Sequence, residues 1–362
     1  MMRSQTRVQF VGVAAIFCTF LLVHQWLYRY QSSFGLLADK SSWKLPTVGD
    51  ISKAAQNSTL GFEKVFYISL TSRSDRQDMM TMLGSVTNVS LTHQPAANGN
   101  DIPDKAKPNG AGGLRPGQIG CWRSHADIWK RMVEENIQTA MVVEDDADWD
   151  MEIHDIFERF SRHMQVTKLG KHTRTAYEKK HAPYGLEWDL IYIGSCWDIP
   201  RSEKPHKHET YQDPSAPNSE QMSGAYSQQL KNYGIHVNTD TRVRALAPSW
   251  YSVCTIGYAV TLAGARKLLY NVGNGFGLEG PVDLAIISAI QKGKINALTV
   301  VPPFVTPWKK GTNDDSDINE PPKEGEEKKP EPAGSENLKK SGRRHMQILL
   351  GEQKSRYEDD VV

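Results

Sequence analysis

Apolar residues along the chain follow two periods. Short runs rich in β-branched and aromatic residues read as buried strands: 64–70 (Lys64-Val65-Phe66-Tyr67-Ile68-Ser69-Leu70), 188–194, 252–260 and 297–301. A shorter run, Met141-Val142-Val143, reads as another and ends in Glu144-Asp145-Asp146. Between the runs lie helical stripes. The clearest covers 118–136, where Trp122, Ala126, Trp129 and Val133 share one face. Others are predicted at 76–83, 153–169, 262–270 and 282–291. Strands alternating with helices predict an α/β fold, with a mixed, mostly parallel central sheet flanked by helices.

Polar stretches divide the chain. Residues 98–117 are rich in Gly, Pro, Asn and Lys and read as a long loop. Residues 200–229, with His206, His208 and several prolines, read as a second surface loop. Beyond Trp308, residues 309–344 are dominated by Lys, Glu, Asp, Pro and Ser, with too little apolar surface to order themselves. The predicted organisation is a cytosolic tail at 1–7, a transmembrane signal anchor at 8–28, a stem at 29–60, a folded body at 61–308 and a largely disordered polar tail at 309–362.

The anchor rests on Val8 to Leu27, apolar except for Gln9, Thr19, His24 and Gln25. As a helix this run is roughly 30 Å long, the thickness of a bilayer core. Arg3 and Arg7 precede it and Arg29 follows, which favours a cytosolic N-terminus and a lumenal body. A cleaved signal peptide is the competing reading. Asn57-Ser58-Thr59 and Asn88-Val89-Ser90 are acceptor sequons for lumenal glycosylation at Asn57 and Asn88. Of the cysteines outside the anchor, Cys196 and Cys254 border apolar segments and make the better disulfide pair; Cys121 is then the odd thiol, and three reduced thiols remain the alternative.

Hydrophobic residues make up 39% of the 362, enough for a substantial core. The 43 Lys and Arg balance 42 Asp and Glu, which argues against a general nucleic-acid binder. The sharpest chemical signal is the acidic triplet. Three adjacent carboxylates repel one another, and a fold that keeps them together at a strand end usually supplies a cation. Alternation along an extended chain would point Glu144 and Asp146 one way and Asp145 the other. In open α/β sheets, ligands dock beyond the carboxyl ends of strands, and a metal there can neutralise a leaving diphosphate.

Five blocks, in order, resemble glycosyltransferase family 25, the group of lipooligosaccharide and collagen hydroxylysine galactosyltransferases. They are Val65–Leu70 with Arg73 and Arg76; Gly117-Gln118-Ile119-Gly120-Cys121-Trp122-Arg123-Ser124-His125; Val143–Ala147; Thr255–Val260 with Gly264-Ala265; and Pro281-Val282-Asp283. The resemblance covers roughly 63–308 and departs at Ser69, where the family usually has Asn. It implies a GT-A-like fold, a UDP-sugar donor (typically UDP-galactose), Mn²⁺ or Mg²⁺ as cofactor and inversion at the anomeric carbon. On matching positions it implies Glu144 and Asp146 as metal ligands, with Asp145 on the ribose or donor sugar. Arg73 and Arg76 are candidates for phosphate contacts or for surface ion pairs. Ser124 and His125 are candidates for orienting the donor, with helix packing as the other reading of His125. Asp283 and Glu279 are candidates for the base that takes the acceptor proton, with a helix cap as the other reading of Asp283. The expected activity is transfer of a hexose to a glycan or glycoprotein acceptor by a single-pass type II protein of the Golgi or ER membrane. A non-catalytic lumenal sugar-nucleotide-binding protein on the same fold is the alternative. A metal-dependent phosphohydrolase is disfavoured, since the body has no close cluster of histidine and carboxylate ligands.

Overall fold

The computed structural model describes residues 50–169, 174–203, 205–273, 278, 280–311, 317–318 and 333–350. The expected cytosolic tail, the anchor and residues 29–49 of the stem lie outside them, as does Glu279. Among the described residues, no helix is long and apolar enough to cross a membrane.

The strands are β1 (Lys64–Ser69), β2 (Thr92–Pro95), β3 (Thr139–Glu144), β4 (Ala147–Trp149), β5 (Leu190–Gly194), β6 (Trp197–Ile199), β7 (Glu209–Gln212), β8 (Val243–Pro248), β9 (Tyr251–Val253), β10 (Gly257–Thr261), β11 (Ala297–Val301) and β12 (Val305–Pro307). The helices are α1 (Ser74–Val86), α2 (Pro116–Glu134), α3 (Ile153–Val166), α4 (Ala176–His181), α5 (Gly224–Asn232), α6 (Leu262–Asn271), α7 (Val282–Gln291) and α8 (Gly342–Leu349).

Eight strands form the main sheet in the order β2-β1-β3-β10-β5-β11-β8-β7. The pairings correct the expectation of a mostly parallel sheet. β1 is parallel to β2 and β3, and β11 to β5, but β10 runs antiparallel between β3 and β5. β8 is antiparallel to both β11 and β7. Reversing just β10 and β8 converts most contacts to antiparallel, although the other strands share one direction. A buried strand reads apolar in either direction, so periodicity alone does not reveal the reversal.

Period-2 alternation divides the core between the two faces of the sheet. Val65 and Tyr67 on β1 and Met141 and Val143 on β3 face Met80 and Leu83 of α1 and Ile156, Phe157 and Phe160 of α3. Phe66, Ile68, Ala140 and Val142 face Trp122, Ala126 and Trp129 of α2, together with α6 and α7. Both tryptophans are fully buried and their stripe is core.

Three segments differ from expectation. The supposed loop 200–229 contains the edge strand β7 and the start of α5. The sequence of β7, Glu-Thr-Tyr-Gln, has almost no apolar signal, and it is strand because it pairs with β8. The run 252–260 is broken at Cys254, whose φ of 69° lies in the left-handed region and ends β9 before β10 begins. Residues 51–56, expected in the stem, form a 3₁₀ turn with Ala54 and Ala55 buried in the body.

The polar tail is also partly folded. Residues 333–350 return to β4 and carry α8. Arg343 is buried; its Nη2 donates to the Asp145 carbonyl at 2.8 Å and its Nε to the Ala147 carbonyl at 2.9 Å. Ser335 and the backbone N–H of Arg343 donate to the Asp148 carboxylate at 2.7 and 3.1 Å. Low hydropathy concealed this segment because, apart from buried Leu338 and Met346, polar bonds hold it down.

Arg343→Met leaves two buried carbonyls without a donor and should destabilise the protein by about 3 kcal/mol. Urea denaturation of the variant beside wild type measures this; a loss below about 0.5 kcal/mol would mean that α8 is not integral to the body.

Candidate active site

The acidic triplet sits at the carboxyl end of β3, where the end of β1 and the start of β10 meet it. β3 stops at Glu144, and Asp145-Asp146 form the turn into β4. Strand alternation therefore governs Glu144 alone, and each of the three carboxylates has its own surroundings.

Asp145 points inward and is buried. Arg76 Nη1 donates to its Oδ1, and Ser69 Oγ donates to its Oδ2 at 2.7 Å. Both oxygens of Asp145, a residue expected on the ribose or donor sugar, are thus engaged by the protein. Ser69 orients that carboxylate. Arg76, one of the two candidate phosphate contacts, is a buried partner of Asp145 and lies 3.9 Å from Asp146. Arg73 pairs with Asp75 at 2.9 Å and with Asp317.

Glu144 faces the other way. Thr255 Oγ1 donates to its Oε1 at 2.6 Å, and His125 Nε2 lies 3.8 Å from the same oxygen. Burial opposes its charge, but His125, Thr255 and Arg76 outweigh burial and hold its carboxyl below the ordinary range. His125 is buried, its Nδ1 hydrogen-bonded to the Tyr258 hydroxyl at 2.9 Å, and that hydroxyl accepts from Trp129 Nε1 at 3.1 Å.

Asp146 is the least satisfied of the three. Its Oδ1 is buried and has no hydrogen-bond partner. Burial and the charge of Glu144 push its carboxyl up to about 6, against the opposing pull of Arg76. An orphaned carboxylate oxygen whose charge is felt by a second carboxylate is the kind of donor a cation takes up, and Asp146 with Glu144 is therefore the candidate hard-ion pair.

These groups line a cavity of about 250 Å³ that also takes in Cys121, Ala97 to Asn100 and the first turns of α2. The wall is built by close backbone contact. A Cβ at Gly120 would lie 2.5 Å from the Ala97 carbonyl, so only glycine lets the 97–100 segment rest on α2. Ser124 secures the same contact, accepting from the Ala97 N–H at 2.9 Å and donating to the Gly120 carbonyl at 2.7 Å. Asp317 and Ile318 also line the cavity. A larger cavity, about 520 Å³, lies between Tyr184, Trp188 and Leu298, away from the triplet. It has no paired carboxylates, so chemistry rather than size selects the smaller one.

Asp283 stands in the first turn of α7. Its carboxylate accepts from the N–H of Leu284 at 2.9 Å and from the N–H of Cys254 at 3.0 Å. It therefore braces Cys254, which is disulfide-bonded to Cys196 with a Cα–Cα distance of 5.5 Å. Burial, and after it the charges of Glu144, Asp283 and Asp146, push the Cys121 thiol up, but Asp283 is not among the residues that line the cavity. Asn57 and Asn88 lie elsewhere. Asn57 accepts through its side chain from the N–H groups of Thr59 and Gly61, at 3.0 and 2.9 Å. Asn88 is exposed with φ of 52°.

Thr255, Tyr258 and Arg343 had no predicted role. The first two fall in a block whose spacing is legible, but their bonds to Glu144 and His125 cross between strands and helix. Nothing in the sequence marks Arg343.

Residues 62–187 match the model of glycosyltransferase family 25 (LPS biosynthesis protein). Over that stretch, about a third of its length, this chain is similar to glycosyltransferase family 25. It is 25% identical over 227 residues to procollagen galactosyltransferase 1 of Danio rerio, covering 59% of this chain and 29% of that protein. It is 27% identical over 237 residues to procollagen galactosyltransferase 2 of Homo sapiens, covering 62% and 30%. It is 26% identical over 225 residues to the human inactive glycosyltransferase 25 family member 3, covering 59% and 29%. The chain thus aligns with less than a third of the length of these relatives. The relation to the procollagen galactosyltransferases is distant, and the family match spans β1 and β3 with the whole acidic triplet.

The raised carboxyl of Asp146 sets a pH dependence. Its folded value of about 6 lies above the ordinary value of 3.8, so the metal-free folded protein binds the proton more tightly than the unfolded chain. That stabilisation is present in full below about 4 and is lost as pH rises through about 6. Asp146→Asn should flatten this part of the pH–stability curve and raise metal-free stability at pH 8 by about 1–3 kcal/mol. Urea midpoints in chelator across pH 4–8 measure it; unchanged curves would mean that Asp146 is not electrostatically strained.

Proposed function

We propose that this chain is a family 25 member and a metal-dependent, inverting glycosyltransferase on a GT-A-like fold. It moves a hexose, galactose from UDP-galactose, onto a glycan or glycoprotein acceptor. The observation that carries the reading is the unpartnered, buried Oδ1 of Asp146 beside Glu144, in a cleft at the carboxyl end of β3. Those two carboxylates would hold Mn²⁺ or Mg²⁺, which supplies charge neutralisation for the leaving diphosphate. Asp145 keeps Arg76 and the turn in position and contacts the donor only if its present bonds open. Arg73 reaches phosphate by exchanging its pairing with Asp317. Ser124 and His125 shape the donor side of the cleft.

Asp283 is the base for the acceptor hydroxyl. Each of its oxygens accepts one backbone N–H and keeps a second lone pair for the acceptor proton. Glu279, the other candidate, lies outside the described residues. The apolar run at 8–28 supports a type II anchor with the body in the Golgi or ER lumen, and the disulfide between Cys196 and Cys254 suits that oxidising compartment. A second reading is a non-catalytic sugar-nucleotide binder. It is favoured by the relative named as inactive and by the bracing role of Asp283.

Asp146→Ala should lower Mn²⁺-dependent transfer from UDP-galactose at least about a hundredfold. Donor hydrolysis and transfer to collagen-derived and glycan acceptors, with and without chelator, are the assays. Activity equal to wild type would end the metal role. Saturable UDP binding with no turnover on any donor or acceptor would favour the non-catalytic reading.

A further inference from the structure

The cleft holds a second, softer donor set beside the paired carboxylates. Cys121 and His125 stand one helical turn apart on α2, so both side chains leave the same face. Glu144 meets them from the end of β3. The sulfur, one imidazole nitrogen and one carboxylate oxygen all lie within 4.8 Å of one another. Ligands around a tetrahedral zinc ion are about 3.5 Å apart, so rotamer adjustments of about an ångström close the set.

The surroundings are those of a prepared ligand. The His125 ring packs against Tyr258 and Trp129, with centroids at 5.6 and 6.4 Å. Its Nδ1 is tied to the Tyr258 hydroxyl, which leaves Nε2 directed at Glu144. Outer hydrogen bonds of this kind orient metal-bound histidines. Cys121 is outside any disulfide, and all three residues line the open cleft, so an ion has a route in.

We propose that Cys121, His125 and Glu144 form a binding site for a thiophilic divalent cation of the zinc class. The thiol releases its proton to solvent water as the metal–sulfur bond forms, and the imidazole proton resides on Nδ1, where the Tyr258 oxygen accepts it. Thiolate and imidazole select zinc-like ions over Mn²⁺ or Mg²⁺, which prefer oxygen. Glu144 is common to this set and to the hard-ion pair with Asp146, so the two cations compete. That competition rests on the proposed function; the Cys–His–Glu site does not.

Cobalt(II), a spectroscopic stand-in for zinc, tests the proposal. Titration of the metal-free full chain, with the Cys196–Cys254 disulfide intact and Cys121 as free thiol, should produce a sulfur-to-cobalt charge-transfer band that saturates at one ion per chain and disappears on adding Zn²⁺. Cys121→Ser should lack the band, and His125→Gln should raise the cobalt midpoint at least about tenfold. Asp146→Asn should keep the band while losing Mn²⁺ binding, which separates failure of this site from failure of the hard-ion pair. Absence of the band in wild type with Cys121 reduced would overturn the proposal. So would a band that survives Cys121→Ser, which would report Cys18, or one that vanishes in Asp146→Asn.

Discussion

Three successive carboxylates in one turn are tolerable only if each is neutralised differently, and that constraint organises the site. Asp145 turns inward and is neutralised by the buried guanidinium of Arg76, with Ser69 taking its other oxygen. Glu144 leans on Thr255 and His125. Asp146 is left with an orphaned oxygen and a raised proton affinity. An isolated buried charge is costly, whereas a paired one is tolerated, so the Arg76–Asp145 pair frees the flanking carboxylates for a ligand.

The turn is held from two directions. Arg76 ties it to the first turn of α1, and Ser69 ties it to the end of β1. Arg343 reaches it from the far end of the chain, donating to the carbonyls of Asp145 and Ala147. The backbone of the acidic turn is thereby fixed independently of any cation. Fixed donors lower the reorganisation needed when a charge arrives, which is the property a diphosphate-binding centre requires. The disulfide and Asp283 likewise brace Cys254, which adopts a left-handed conformation between β9 and β10.

Much of this was legible beforehand. The buried runs at β1, β3, β5 and β11 and the helices α2, α3, α6 and α7 follow directly from period, since each places most of its apolar residues on buried surface. The acidic block and the glycine and cysteine spacing around α2 pointed to the cleft. What escaped were elements whose order comes from partners distant in sequence. β7 is strand because β8 pairs with it, residues 333–350 fold because Asp148 and Asp150 accept their hydrogen bonds, and β10 is reversed because of where the chain re-enters the sheet.

By itself, the sequence determined the α/β class, a resemblance to a known family, and which residues carry the charge of the site, because periodicity and residue type are local properties. The tertiary structure alone decided what each charge does. Whether a carboxylate is spent on an arginine, braces a strained cysteine or stays available depends on which groups lie within about 4 Å, where pairing energies are decided. Sequence spacing cannot set such distances between Glu144 and His125, or between Asp145 and Arg343, since they join elements that meet only when the sheet and its covering helices are assembled.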